Sequence, residues 1–279
     1  RGGVPVFVDI RADTLNIDEN KIEAAITPKT KVIVPMHYGG VGCDMDTIMD
    51  IAKRHDLMVI EDAAQSVMAS YKGRPLGSIG DLGCFSFHET KNISSGEGGA
   101  LLINNPELVE RAEIIREKGT NRSQFFRDQV DKYSWMDIGS SYLPGEITAA
   151  FLWAQMQEAQ SITERRLIVW NNYHIGLASL ESAGKLRCPI IPSDCGNNGH
   201  LYYLLMDDLS DRSRFIKKME ARGVNCVFHY VPLHSSHAGI KYGRAANTMT
   251  ITNDLANRLN KIIERVPAAR SLFMFPRTG

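Results

Sequence analysis

The stretch at residues 83–99 reads GCFSFHETKNISSGEGG and places one lysine, Lys91, just past a short apolar run. Upstream of it, residues 59–65 read VIEDAAQ and place Asp62 at the end of a second apolar run. A lysine and an aspartate at neighbouring strand ends suit a Schiff-base cofactor, because the amine bonds to an aldehyde and the carboxylate pairs with a protonated ring nitrogen. These two stretches together predict the fold and its chemistry.

Outward from this pair, apolar runs alternate with amphipathic segments. The pattern predicts a strand over residues 4–8, a helix over 18–25, a strand over 31–35, a helix over 45–55 and a strand over 57–60. After Lys91, a strand over 100–103 and a helix over 106–117 follow. Such alternation favours a mostly parallel sheet covered on both faces, with ligands at the carboxyl ends of its strands.

The rest of the chain has three further segments. Residues 118–137 are polar and aromatic without periodicity, which predicts a long ordered loop. Residues 146–180 have the spacing of one long helix or two successive helices. Beyond them we predict a strand over 200–206, a helix over 212–222 and a strand over 224–230.

The expected class is therefore α/β, with a smaller α+β domain at the C-terminal end. We predict a large domain over residues 1–145, a connecting helical region over 146–184 and the small domain over 185–279. The first strand begins directly after Arg1-Gly2-Gly3, so we expect the large domain to start upstream of this sequence. Residues 259–279 show no clear pattern.

Charge and cysteine content narrow the function classes. The chain has 32 lysines and arginines and 32 aspartates and glutamates. Its net charge is therefore zero and would not attract nucleic acid or an anionic membrane surface. The five cysteines contain no CxxC pair of the kind that marks zinc or redox sites, which predicts reduced thiols. No apolar run approaches the ~20 residues of a membrane span. The sequence therefore predicts a soluble, cytoplasmic protein.

Each member of the lysine and aspartate pair also has an ordinary interpretation. Asp62 on its own could cap a helix, and Lys91 on its own could be a solvated surface charge. Glu61 points to the opposite face of the strand from Asp62 and suits a structural role. The hydroxyl of Ser86 and the backbone N–H groups of the following loop could hold a phosphate.

Three histidines lie near predicted strand ends and are candidates for substrate contact. His37 follows the strand over 31–35, and His229 and His234 lie at and after the strand over 224–230. Each could equally be a polar residue that is satisfied at a strand end. The histidines have no i, i+4 spacing on a helix and no carboxylate at ligand spacing, so no metal site is predicted.

Three motifs occur together in this chain: EDAAQ at residues 61–65, CFSFHETKN at 84–92 and GEGG at 96–99. Their combination resembles the nucleotide-sugar aminotransferases of the DegT/StrS family, and the resemblance runs from residue 4 to about residue 234. It implies the fold type I architecture of aminotransferases that depend on pyridoxal 5'-phosphate (PLP).

The resemblance also implies roles for individual residues. Lys91 would form the Schiff base with PLP and shuttle the proton, and Asp62 would bind the pyridine nitrogen. Gln65 would bond near the phenolic oxygen, and Ser86 would contact the phosphate. In many family members a Gly-x-Asn-Tyr-Arg segment of the neighbouring subunit reaches the phosphate. Here that segment reads GSSYL, with Ser141 in place of the asparagine. The resemblance therefore implies a homodimer with shared active sites, in which Ser141 would contact the phosphate.

The reaction that the resemblance implies is transfer of an amino group from L-glutamate to C4 of a dTDP-4-keto-6-deoxy sugar. Its product would be dTDP-4-amino-4,6-dideoxygalactose, for a cell-surface polysaccharide such as enterobacterial common antigen. The family's phosphate-binding loop is expected upstream of residue 1, so a non-catalytic cofactor-binding or sensory protein on the same fold stays open. A nicotinamide oxidoreductase would require GxGxxG after a first strand, and the sequence has none.

Overall fold

The computed structural model describes residues 2–262 of the 279-residue chain. Its strands, in chain order, are β1 (Val6–Phe7), β2 (Val32–Ile33), β3 (Met58–Asp62), β4 (Ser70–Tyr71), β5 (Arg74–Pro75), β6 (Leu82–Ser86), β7 (Gly99–Ile103), β8 (Cys195–Gly196), β9 (Tyr202–Leu205), β10 (Cys226–Phe228), β11 (Arg244–Ala245) and β12 (Leu259–Ile262). Its α-helices are α1 (Met45–Arg54), α2 (Val109–Arg116), α3 (Arg122–Phe126), α4 (Glu146–Gln157), α5 (Ala159–Ser182), α6 (Leu209–Glu220), α7 (His237–Tyr242) and α8 (Thr250–Arg258). Within residues 2–262, no helix combines the length and the apolar character needed to cross a membrane.

The chain divides into two compact units that alternate along the sequence. Unit 1 contains the residues up to Leu15, Glu164–Ile190 and the residues from Gly199 onward. Unit 2 contains Asn16–Thr163 and the short returning segment Ile191–Asn198. The domain boundaries expected at residues 145 and 184 stay predictions, because a compact unit need not be a separately folding domain.

Unit 2 is built on a four-stranded sheet in the order β2-β3-β6-β7. Strands β2, β3 and β6 run parallel, as the alternation of strands and helices predicted, and β7 runs antiparallel to β6. The strand predicted over residues 4–8 is not part of this sheet, because β1 lies in unit 1 and pairs with β11. The difference at β7 follows from its connection, because residues 87–98 return as a loop and a parallel neighbour would need a longer crossover. A second, smaller sheet in this unit has the order β5-β4-β8.

Side chains of β3 alternate between two unlike faces of the main sheet. Val59 and Glu61 are fully buried, whereas Met58 is 40% exposed and Asp62 is partly buried. Asp62 pairs in register with Cys84 of β6. The two side chains therefore stand side by side on the less buried face, at the carboxyl ends of parallel strands.

Helix α1 packs against β2 and β3 in unit 2. Asp44 accepts the backbone N–H of Thr47 (3.2 Å) and caps the helix. Met45, Ile48 and Ile51 recur at helical spacing and are at most 3% exposed. Full burial of one such side chain stabilises the fold by about 2 kcal/mol. The helix predicted over residues 45–55 is confirmed.

Other predicted elements take a different form. Residues 18–25 form two short 3-10 turns rather than one helix, and the loop predicted over 118–137 contains α3. The helix predicted from residue 212 begins earlier, at Leu209, because Asp208 accepts the backbone N–H three residues on (2.8 Å) and caps it. Local capping chemistry therefore moved this boundary.

Unit 1 contains an antiparallel sheet in the order β10-β12-β9, in contact with α6 and α8. Strand β12 lies in the stretch 259–279, for which the sequence showed no pattern, and it pairs on both sides. Leu259, Asn260 and Ile262 are buried for that reason. The rest of that stretch lies outside the described residues.

In unit 1, an aspartate near the start of the chain caps α8. Met249 precedes α8 with a left-handed backbone (φ 53°) and makes no side-chain cap. Asp9 is 3% exposed and accepts the N–H of Ile251 (3.1 Å) and both the N–H (2.8 Å) and the hydroxyl (2.6 Å) of Thr252. Burial acts to raise the pKa of Asp9, but these hydrogen bonds outweigh it and lower that pKa to about 2.

Candidate active site

Asp62 ends β3 with its backbone bonded to the segment that follows β2. Its N–H donates to the carbonyl of Pro35 (2.9 Å), and its carbonyl accepts the N–H of His37 (3.1 Å). The carboxylate Oδ1 accepts the N–H of Ala64 (3.1 Å), and no hydrogen bond from residues 2–262 reaches Oδ2. Asp62 is therefore fixed in place with one carboxylate oxygen left for a ligand.

Glu61 faces the buried side of β3 and accepts four hydrogen bonds. They come from the backbone N–H groups of Gly77 (2.8 Å), Ile79 (2.6 Å) and Gly80 (2.7 Å) and from Nε2 of His37 (2.9 Å). Burial acts to raise the pKa of Glu61, but the hydrogen bonds outweigh burial and hold that pKa below its ordinary value. The structural role expected for Glu61 is confirmed.

His37 is fully buried, and both of its ring nitrogens are engaged. Nδ1 accepts the backbone N–H of Cys43 (3.1 Å), so the ring proton lies on Nε2 and is donated to Glu61 (2.9 Å). Neither nitrogen is then left for a substrate. The structure gives His37 a place in the scaffold behind Asp62, and we do not propose it as a substrate contact.

Lys91 lies in the loop between β6 and β7 and is partly buried. The two residues after it hold the loop down, since Asn92 is 5% exposed and Ile93 is fully buried in an apolar cluster with Phe87. Burial lowers the pKa of Lys91, and the carboxylate of Asp62 acts in the opposite direction. A lowered pKa raises the share of neutral amine, which is the form that attacks a carbonyl carbon.

Gln65 and Ser86 lie close in sequence to the ends of the same two strands. Oε1 of Gln65 accepts the N–H of Gly39 (2.6 Å), so its amide nitrogen is left to donate elsewhere. Ser86 is the last residue of β6 and lies on the same face as Cys84. Its Oγ accepts a long hydrogen bond from the N–H of His88 (3.4 Å) and keeps its proton to donate.

The other expected site residues lie elsewhere. Ser141 belongs to unit 2 and is exposed, in an isolated antiparallel bridge with Glu117. His229 and His234 belong to unit 1. Burial, and to a smaller extent the charge of Lys261, lower the pKa of His229 to about 4. His234 bonds through Nε2 to Oδ1 of Asn253 (3.0 Å).

The side chains of unit 2 fit the ring and aldehyde ends of PLP. Asp62 offers an oxygen to a protonated ring nitrogen, and Lys91 offers an amine whose pKa is lowered. Gln65 and Ser86 offer neutral donors suited to phenolate and phosphate oxygens. In the part of the chain that the structure describes, no group of three or more His, Cys, Asp or Glu side chains could hold a metal ion.

Sequence reasoning missed two buried asparagines that border this site. The side chain of Asn92 donates to the carbonyl of Asn198 (2.9 Å). The side chain of Asn198 donates to the carbonyls of Gln65 (2.9 Å) and Val67 (2.8 Å). Each bond joins residues more than 100 positions apart, so no local pattern reveals it. The place of Asn92 beside Lys91 was the available signal.

An α/β sheet that sets a strand-end aspartate within electrostatic reach of a partly buried lysine defines a fold suited to Schiff-base cofactor chemistry. The model of the DegT/DnrJ/EryC1/StrS aminotransferase family matches residues 1–263. The chain belongs to this family, as its motifs had indicated.

Curated relatives show the same likeness over most of this chain. Spore coat polysaccharide biosynthesis protein SpsC of Bacillus subtilis is 35% identical, over 84% of this chain and 61% of that protein. GDP-perosamine synthase of Caulobacter vibrioides is 34% identical, over 84% of this chain and 61% of that protein. An uncharacterized protein of Methanocaldococcus jannaschii is 39% identical, over 82% of this chain and 60% of that protein. The chain thus spans about three fifths of the length of these relatives.

Solved structures match the fold. The aminotransferase TlmJ of Streptoalloteichus hindustanus superposes with a TM-score of 0.83 at 28% identity, over 94% of this chain and 68% of that one. DesV of S. venezuelae, solved in complex with a ketimine intermediate, superposes with a TM-score of 0.81 at 30% identity, over 96% of this chain and 70% of that one. The predicted fold type I α/β architecture is confirmed.

Proposed function

We propose that this chain is the PLP-binding part of an aminotransferase that acts on a nucleotide sugar. The observation that carries the proposal is Lys91, a partly buried amine whose pKa is lowered by burial and which lies within electrostatic reach of Asp62. Membership of an aminotransferase family supports the same class of reaction. Solved aminotransferases of the same fold support it further.

When bound, PLP supplies an aldehyde that condenses with amines and a ring that accepts an electron pair. Lys91 is the residue that would hold the aldehyde end. Its amine, once released by the amino donor, would carry a proton to C4 of the sugar. Asp62 would keep the ring nitrogen protonated through Oδ2, and Gln65 and Ser86 would orient the ring through their donors.

For the substrate, we propose a dTDP-4-keto-6-deoxy sugar with L-glutamate as the donor, giving dTDP-4-amino-4,6-dideoxygalactose. The motifs quoted above support this choice. The names of the relatives support polysaccharide precursors more broadly, since one is a spore coat polysaccharide protein and another a GDP-perosamine synthase. We propose His229 and His234 as substrate contacts, because His229 directly follows the end of β10 and His234 lies five residues beyond His229, in the segment that follows a strand end.

We further propose that the protein is a homodimer with shared active sites. A segment of unit 2 and the start of α4 carry large apolar side chains that are at least half exposed, and these are Tyr133, Trp135, Met136, Ile138, Tyr142, Leu143 and Ile147. Exposed apolar residues so concentrated mark an interaction surface. Ser141 lies within this segment and would reach the cofactor phosphate of the partner.

The first test concerns Lys91. Lys91→Ala is expected to abolish both the absorbance of lysine-bound PLP and amino transfer from glutamate, because no other amine can replace one held next to Asp62. The measurements are the absorbance spectrum with PLP and product formation from dTDP-4-keto-6-deoxyglucose and from a GDP-4-keto sugar. Lys53→Ala, which removes an exposed lysine of α1, is the matched control and should keep both signals.

Amino transfer that survives in Lys91→Ala would overturn the assignment of Lys91. In a version extended to the full length of the relatives, binding of PLP at Lys91 without amino transfer to either sugar would instead favour the non-catalytic alternative. A preference for the GDP sugar would retain the reaction and correct the nucleotide.

A further inference from the structure

Asn198 ends the short segment that returns to unit 2 late in the chain. The segment enters through β8, which pairs antiparallel with β4 at Ser70 and Tyr71. Asn198 is fully buried there. A side chain added at Gly40 would meet Oδ1 of Asn198 at 2.2 Å and the carbonyl of Gln65 at 3.1 Å. The side chain of Asn198 is therefore closely packed against Gly40, next to the carbonyl of Gln65.

The hydrogen bonds of Asn198 reach both halves of the candidate site. Its amide group donates to the carbonyls of Gln65 (2.9 Å) and Val67 (2.8 Å), in the segment that continues from Asp62. Its backbone carbonyl accepts a hydrogen bond from the side-chain amide of Asn92 (2.9 Å), the residue after Lys91. A single buried residue thus links the lysine loop to the segment that follows β3.

We propose that Asn198 is a positioning residue, which sets Lys91 relative to Asp62 through the relay Asn92, Asn198 and Gln65. The inference rests on the proposed role of Lys91. Reactivity between held groups falls steeply when their separation changes by about 1 Å. Buried hydrogen bonds hold such a separation firmly, because the low local dielectric strengthens them and breaking one leaves a buried carbonyl unsatisfied.

The test measures capture of PLP at Lys91 rather than turnover. The protein is incubated with increasing PLP, the imine is reduced with borohydride, and the labelled peptide is quantified by mass spectrometry. Asn92→Ala removes one buried hydrogen bond and Asn198→Ala removes two, so each is expected to raise the PLP concentration for half-maximal capture at least about tenfold. The double variant should need no more PLP for half-maximal capture than the single variant with the larger effect, because both substitutions break the same relay.

Asn260→Ala is the matched control. Asn260 is also fully buried, and its side chain donates to a backbone carbonyl, that of Leu204 (3.3 Å), but it lies in unit 1. This variant should lose thermal stability comparably and capture PLP at Lys91 like the unaltered protein. That contrast separates positioning from a general loss of stability.

Two outcomes would overturn the relay. One is capture in Asn92→Ala and Asn198→Ala that shifts no more than in Asn260→Ala, and the other is an effect in the double variant equal to the sum of the two single effects. If Asn198→Ala does not fold, Asn92→Ala against Asn260→Ala decides the question. Absence of capture at Lys91 in the unaltered protein would refute the proposed function itself, whereas normal capture with unaffected variants would refute the relay alone.

Discussion

At the scale of single residues, Glu61 holds the strand end that presents Asp62. Its carboxylate accepts three backbone N–H groups and the Nε2–H of His37 while fully buried. We expect Glu61→Gln to lower the free energy of unfolding by about 3 kcal/mol, because an amide turns one acceptor into a donor that faces other donors. Urea unfolding followed by circular dichroism measures this loss.

The same residue predicts a dependence on pH. The folded pKa of Glu61 lies below its ordinary value of about 4.3, so the stabilisation is complete above that pH and is lost as the pH falls below it. Unfolding free energy should therefore fall less steeply below pH ~4.3 in Glu61→Gln than in the unaltered protein. Glu107→Gln, at an exposed glutamate, is the control; equal acid slopes in all three proteins would contradict the prediction.

Residue patterns revealed part of this site and not the rest. Lys91 and Asp62 could be found because each follows an apolar run, and the chain alternation that separates Glu61 from Asp62 is a local rule. The engagement of His37 could not be found, since it depends on a tautomer fixed by Cys43 and Glu61 in the folded chain. Hydrogen bonds between distant residues leave no periodic trace in sequence.

At the scale of secondary-structure elements, α8 depends on a cap from outside itself. We expect Asp9→Asn to lower the free energy of unfolding by about 1–2 kcal/mol, because only one side-chain oxygen then remains for Ile251 and Thr252. Urea unfolding and hydrogen exchange of these two amides measure the effect. The pKa of Asp9 is lowered to about 2, so its contribution should persist from neutral pH to about pH 4 and be lost between there and pH 2.

The control for this prediction lies on the same helix. Asp254 is exposed and paired with Arg258 (2.9 Å), and Asp254→Asn should cost at most about 0.5 kcal/mol. Equal losses from the two substitutions, or unchanged exchange at Thr252 in Asp9→Asn, would show that the cap does not stabilise α8. Sequence could not predict this cap, because Asp9 and Thr252 lie 243 positions apart.

Elements with strong apolar periodicity of their own were the predictable ones, although a local cap could still shift a boundary, as Asp208 does at α6. Helix α1 begins after Asp44 and was found from its own apolar spacing. Strand β12 carries Leu259, Asn260, Lys261 and Ile262, an irregular pattern for a strand, and is defined by two neighbours from distant parts of unit 1. Pairing, rather than propensity, decides such a strand.

At the scale of the whole molecule, the exposed apolar segment predicts association. Ile147 is 88% exposed at the start of α4, so a charge there should leave the folded protomer intact. We expect Ile147→Glu to shift the protein from dimer to monomer, halving the mass measured by sedimentation equilibrium, because a dimer would bury this charge.

Ile175→Glu provides the comparison, at a residue of α5 in unit 1 that is 75% exposed. It should leave the mass unchanged. If the unaltered protein is a monomer, the proposed dimer is excluded. If both substitutions dissociate the dimer alike, the interface is not specific to the exposed segment around Ile147. Composition alone could not predict this surface, since exposure of apolar side chains is known only after folding.

The returning segment Ile191–Asn198 has a consequence for how the polypeptide is made. Asn198 leaves the ribosome 133 positions after Gln65, whose carbonyl it must satisfy, an interval on the order of ten seconds at ordinary elongation rates. For most of that interval, once Lys91 has also been synthesised, the nascent chain carries Lys91 and Asp62 but lacks β8 and the side-chain amide of Asn198. Unit 2 is thus completed only after Glu164–Ile190 of unit 1 has been synthesised, so the hydrogen bonds of Asn198 to Gln65 and Val67 form only after that point.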